Sequence, residues 1–208
     1  MRFGGNKMKE LQMPIIYENN QRIGYGGDQD WFDDIWAQRA GCASVLASNL
    51  FAYYHQQNQY PKEEFLRIME EMFSLMTPGY MGYPYLYKFA RTFVKRMAED
   101  KQYLQPVYQK KSKNYKHALS FVLKSIDEGH PVGMLILHHR AEELEEDNWH
   151  WVCLSGYIES ESHYRIIFSD CGKKREIDSR ILFDTHHQNV FKMVRMKKDP
   201  TSEDLLIE

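Results

Sequence analysis

The sequence predicts an α+β domain, and three observations carry that expectation. Helical patterns occupy the chain up to Pro131, short β-rich runs follow it, and the composition is that of an ordinary globular protein. With 208 residues, 43% of them hydrophobic, the chain fits one domain able to bury a core without staples. Residues 1–27 read as an irregular N-terminal arm, 28–196 as the domain and 197–208 as a frayed tail. The arm runs into a flexible Gly-rich piece, GYGGDQDW. From Gly41 the stretch CASVLASNLFAYYHQQ repeats Val45, Leu46, Asn49, Leu50 and Tyr53 at spacings of three and four, which predicts a helix. A second helix opens at Pro61, a preferred first-turn residue, with acids in its first turn. TPGYMGYP breaks it. PYLYKFARTFVKRMAEDK and KHALSFVLKSIDEG predict two more helices, the last ended by Gly129 and Pro131. VGMLILHH, HWVCLSGYI, HYRIIFSD, KKREID and VFKMVRM then read as antiparallel-type strands, with AEELEEDN as an acidic, mobile loop between the first two.

Charge and cysteine usage narrow the function. Lys+Arg (27) and Asp+Glu (29) leave a formal charge of -2, so a nucleic-acid partner is not expected. No apolar run approaches the roughly 20 residues of a membrane-spanning helix, and the N-terminus lacks an apolar signal core. Three cysteines, Cys42, Cys153 and Cys171, form no disulfide framework and suit a reducing cytoplasm.

Cys42 stands at the start of the first strong helix, where the dipole and free N–H groups favour the nucleophilic thiolate. Gly41 before it leaves room for a substrate backbone to pass. The same cysteine also fits a small core position. His150 opens an apolar strand between two tryptophans, a rigid setting for a general base, or for a histidine satisfied by a carbonyl. Asp170 closes the next strand. If the two strands pair antiparallel, the acid comes beside the histidine and can orient it; the bland reading is an Asp starting a turn.

GCASVLASNLFAYY, HWVCLSGY and IIFSDCG together resemble the three signatures of papain-like cysteine peptidases, over roughly residues 28–172. The nearest branch is the bacterial one of double-glycine leader (bacteriocin-processing) peptidases. The resemblance implies a papain-like fold, an N-terminal helical half on a C-terminal antiparallel sheet, with Cys42, His150 and Asp170 as the triad. It also implies an oxyanion-hole glutamine upstream. Gln29, in GGDQDWFDDIW, fits that place and is preferred; Gln38 is the rival. The sequence departs from the pattern at Ala43, where glycine is usual, and at Cys171, where proline is frequent after the aspartate.

The expected function is a cysteine-dependent hydrolase cleaving a peptide or isopeptide amide through an acyl-thioester, needing no cofactor and no metal. Its partner would be a peptide or protein substrate. The alternatives are a catalytically silent papain-like peptide-binding domain, or an acyltransferase using the same triad. Zinc is the competing chemistry, but His138, His139, His150, Cys153 and Cys171 lack paired ligand spacing, as do the adjacent His186 and His187. Tyr80, Tyr83, Tyr85, Tyr87 and Phe89 read as helix-packing residues rather than a cleft. The run EELEED, just before His150, reads as a solvated loop that can also act as a lid repelling acidic substrates.

Overall fold

A computed structural model describes residues 7–109, 114–161, 163–184 and 188–199. Strands β1 (Lys7–Glu10), β2 (Ile15–Glu18) and β3 (Gln21–Tyr25) come first, then helices α1 (Ile35–Ala40) and α2 (Cys42–Tyr54). A short strand β4 (Gln59–Pro61) leads into α3 (Lys62–Leu75) and α4 (Leu86–Glu99). After β5 (Leu104–Gln109) and α5 (Tyr115–Asp127), strands β6 (Val132–His138), β7 (His150–Ser160), β8 (His163–Asp170) and β9 (Lys173–Asp178) follow. Helix α6 (Ser179–Leu182) and strand β10 (Val190–Lys198) end the described chain. The α+β expectation holds at this level, with a large antiparallel sheet and separate helices.

That sheet runs in the order β5-β10-β6-β7-β8-β9. β7 is the long central strand: β6 covers one of its edges from His150 to Leu154, and β1 covers the same edge from Gly156 to Glu159. Gly156 is required there, since a Cβ would stand 2.6 Å from the Lys9 carbonyl. β2 and β3 form a separate antiparallel hairpin, with β4 parallel to β2. The arm expected to be irregular is therefore three strands among the described residues. Runs of four or five residues are too short to show alternation, and their partners lie far along the chain. Lys197 and Lys198 pair with Gln105 and Leu104, so the sheet extends into the segment expected to fray. The rest of that tail, beyond Asp199, and the His186–His187 pair lie outside the described residues.

The sheet is buried on both faces, which explains why its central strands read as near-continuous apolar runs. Leu135, Trp151, Cys153 and Val194 face α2 and α4. Their neighbours Met134, Ile136, Val152, Leu154 and Met193 face α5. The helices thus do not form one half packed on one side. α2 and α4 cover one face, with α3 packed on α2, and α5 covers the other, because α5 buries Ala118, Leu119, Val122 and Ile126 as a single stripe. Its start is fixed by Asn114, whose side chain accepts from the His117 N–H at 3.0 Å.

α2 is the innermost helix, buried at every position from Cys42 to Leu50 and again at Ala52 and Tyr54. Ala43, Ser44, Ala47 and Ser48 let neighbouring elements approach closely, and all four are buried. α4 presents Leu86, Phe89, Phe93 and Met97 to the same core. Truncating Phe93, which is fully buried, to Ala would cost roughly 3–5 kcal/mol.

Candidate active site

Asp34 caps α1 by accepting from the Ala37 N–H at 2.7 Å, and α1 ends where Gly41 turns the chain into α2. A Cβ on Gly41 would lie 2.4 Å from the Ala37 carbonyl and 2.8 Å from the Phe32 ring. This glycine is needed for the join between two helices, a packing requirement that the sequence pattern did not show. Cys42 is the first residue of α2, and no side chain caps that helix end. Its first N–H groups are therefore available beside the sulfur. Ala43 is packed in the core.

His150 is the first residue of β7. Trp149 before it takes a left-handed φ of 60°, and Trp151 after it anchors the strand. The Trp151 indole stacks on Phe89 at 4.6 Å and donates to the Tyr83 carbonyl at 2.9 Å. The β7–β8 register pairs Cys153 with Ser169, which brings Asp170 alongside the opening of β7. His150 Nε2 lies 2.7 Å from Asp170 Oδ1. With Nε2 committed to the carboxylate, Nδ1 is the nitrogen left to face Cys42, which lines the same small space as the ring. Burial by itself would push the imidazolium down. Hydrogen bonds to Asp170, Cys171 and Cys42 outweigh it and hold His150 well above the ordinary histidine value. Burial likewise works against the Asp170 carboxylate, and His150 and Arg175 overcome it, so Asp170 sits well below the usual range.

Arg175 was not singled out from the sequence. Its guanidinium donates to Asp170 Oδ2, to Asp147 Oδ1 at 2.9 Å and to the Glu143 carbonyl at 2.9 Å. The legible signal was the turn. Cys171 and Gly172, with φ of 42° and 70°, are the two central residues of a tight hairpin that pairs Asp170 with Lys173 and Phe168 with Arg175. Arg175 is then the diagonal neighbour of Asp170 on the same face. Proline could not hold the positive φ of Cys171, so this hairpin cannot accommodate an Asp-Pro turn.

Gln29 opens a 3-10 helical turn, Gln29–Trp31, capped by Asp28. Four hydrogen bonds fix its approach. The Gly27 N–H donates to Asn49 of α2 at 2.9 Å, Asn49 donates to Ser169 at 3.3 Å, Ser169 donates to the Tyr25 carbonyl at 2.6 Å, and the Gly172 N–H donates to the Gly27 carbonyl at 2.8 Å. Asn49 and Ser169 are thus positioning residues that the helix and strand patterns absorbed as core. Gln29 lines the same small space as Cys42, His150 and Asp170, and its Oε1 is buried with no hydrogen-bond partner among the described residues. Gln38 is committed elsewhere, donating to the Phe32 carbonyl at 2.6 Å.

The other candidates separate. Cys153 is a core thiol 3.6 Å from the Met13 sulfur, and burial pushes it up to about 12. Cys171 lies 3.9 Å from His150 Nε2, and burial raises its thiol. His150, Asp170 and Cys171 offer three atoms within 4.8 Å of one another that could hold a metal ion, a grouping their sequence spacing hid. His139 is buried against the Ile181 carbonyl at 3.1 Å, and His138 is exposed. Of the aromatic cluster, Tyr83 and Phe89 pack as expected, whereas Tyr80, Tyr85 and Tyr87 are exposed. The acidic segment is a 3-10 helix, Glu142–Asp147, pinned by fully buried Leu144 and by the Asp147–Arg175 pair, rather than a mobile loop.

No family model matches the chain, and a search of curated proteins finds no match. Among the described residues no helix is long and apolar enough to cross a membrane.

Proposed function

We propose that the protein is a cysteine-dependent hydrolase of a peptide or isopeptide amide, on a papain-like arrangement of Cys42, His150 and Asp170. One observation carries this reading: His150 is held by a carboxylate on one ring nitrogen and shares one small space with the thiol at the N-terminus of α2. The Cys42 proton passes to His150, and the sulfur attacks the amide carbonyl. Negative charge moves to the carbonyl oxygen, where the Cys42 backbone N–H and the Gln29 amide can donate. The imidazolium then protonates the leaving amine as the C–N bond breaks. Water, deprotonated by His150, releases the acid from the thioester. Asp170 orients the ring and stabilises its charged form, and Arg175 in turn fixes Asp170. The same steps with an amine in place of water would give acyl transfer, and the nature of the final acceptor is open to substrate profiling.

The test is the alkylation rate of each cysteine by iodoacetamide near pH 6, read by peptide mass spectrometry in wild type and His150→Ala. Cys42 should react selectively, while Cys153 and Cys171 stay slow. In the variant, the pH profile of Cys42 should move toward that of an ordinary thiol. Equal slow labelling of all three, or a Cys42 profile unchanged by the variant, would favour a silent binding domain.

A further inference from the structure

A cavity of about 600 Å3 opens beside the reacting groups. Gln29, His150, Asp170 and Cys171 form one wall, and the segment Glu142–Asp147 forms the facing one. Its size lies within the range of pockets that hold a side chain or a small ligand. Glu142, Glu143, Glu145 and Glu146 all line it and all are exposed. Among the described residues none of the four has a cationic partner. Besides the His150 imidazolium, which is paired with Asp170, two cations share the cavity, Lys173 and Arg175. Arg175 is already matched by Asp147 and Asp170, which leaves Lys173 against four glutamates.

A second feature is independent of those surface charges. Asp147 is only 3% exposed, lines the same cavity, and gives Oδ1 to Arg175, while its Oδ2 is buried with no hydrogen-bond partner among the described residues. A buried carboxylate oxygen without a donor is unusual, and it is an acceptor site for a ligand N–H. The wall that carries it is fixed in place. Leu144 is fully buried, and Asn148 donates to the His139 carbonyl at 3.2 Å and to the Glu145 carbonyl at 2.9 Å while accepting from the His139 N–H at 2.6 Å. The glutamates are thus held at the cavity mouth before any ligand arrives, which lowers the ordering cost of binding.

We infer that this cavity is the subsite for a cationic side chain, lysine or arginine, of the peptide substrate. The inference rests on the reading of Cys42 and His150 as the reacting pair. The four glutamates concentrate cationic peptides at the mouth, and Asp147 Oδ2 accepts from the head group at the floor.

The test separates the subsite from the chemistry by using the Cys42→Ala protein. Binding of acetyl-Ala-Ala-Lys-Ala-Ala-amide is measured by calorimetry beside the same peptide with norleucine or glutamate at the central position, and beside CaCl2 alone. The lysine peptide should bind about tenfold or more tighter than the norleucine one, as charge complementarity requires, with the glutamate peptide weakest. The preference should shrink at 0.5 M NaCl. It should collapse in the Glu142→Gln, Glu143→Gln, Glu145→Gln, Glu146→Gln quadruple variant, whose Cys42-intact form keeps its iodoacetamide rate. Equal binding of lysine and norleucine peptides, a preference that survives the quadruple variant, or Ca2+ binding without peptide binding overturns the inference. Loss of selective Cys42 alkylation overturns the hydrolase reading instead, and leaves the peptide-binding result standing on its own.

Discussion

The space over Cys42 and the cavity beside the acidic segment share a wall of Gln29, His150, Asp170 and Cys171, yet they are built from opposite materials. The first holds about 10 Å3, room for about one water, and its other walls are Val45, Leu46, Trp151 and Cys153. The second holds about 600 Å3, and glutamates line it. Groups that react must be held to within a fraction of an ångström, which core packing on an inner helix and a central strand provides. Groups that select can stand in solvent, because charge acts over several ångströms. Arg175 links the two, with a single guanidinium nitrogen, Nη1, donating to both Asp170 and Asp147.

The contrast breaks most sharply at the sulfur. Cys42→Ala should lower amide hydrolysis by more than about 10^4-fold, since removing a nucleophile disables the whole unit. The fold should survive, with a loss of about 1 kcal/mol for a one-atom cavity, read as a melting shift of a few degrees. Measurable hydrolysis by the purified variant would remove Cys42 from the mechanism.

Asp170→Asn comes next, with a loss of about 100-fold or more in kcat/KM. Its pH dependence has a defined sign. The Asp170 charge helps hold the His150 imidazolium above its ordinary value, so losing that charge lowers the histidine. The alkaline limb of kcat/KM, where the imidazolium that protonates the leaving amine is lost, should therefore move to lower pH. A limb that stays in place would mean that Asp170 does not face the titrating ring.

Arg175→Gln tests the link between the two spaces. It removes one charge-assisted hydrogen bond to Asp170, worth about 1.5–3 kcal/mol, and should lower kcat for a neutral peptide about tenfold or more with KM little changed. Arg175 also helps depress Asp170, so the acid limb should move upward, and Arg175→Lys should recover part of both effects. A pure KM effect would place Arg175 in recognition only. The smallest expected effect is that of a chelator. His150, Asp170 and Cys171 lie close enough to ligate a metal, but the proposed steps need none, so 5 mM EDTA, roughly ordinary chelating practice, should leave the rate unchanged. A loss restored by zinc would turn that trio into the working site.

Where a residue's position follows from its place at the end of a long periodic element, it was legible. Cys42 opens α2, His150 opens β7 and Asp170 closes β8, as their local patterns require, and the antiparallel register supplied the pairing of the last two. Periodicity of three and four, continuous apolar runs and the Cys-Gly turn are properties of neighbouring residues, so the chain alone determines them. The strands β1 to β4 were not legible, because segments of three to five residues acquire their structure from partners. β1 is a strand because the second half of β7 offers it an edge. Only the tertiary structure decided that α5 packs on the face opposite α2, and that Gln29 rather than Gln38 keeps a free amide atom beside Cys42. It also decided that the acidic segment is pinned through Asp147 and Arg175, residues 28 apart that meet because a hairpin folds β9 back along β8. Such contacts are set by the meeting of surfaces formed far apart in sequence, and no local pattern encodes them.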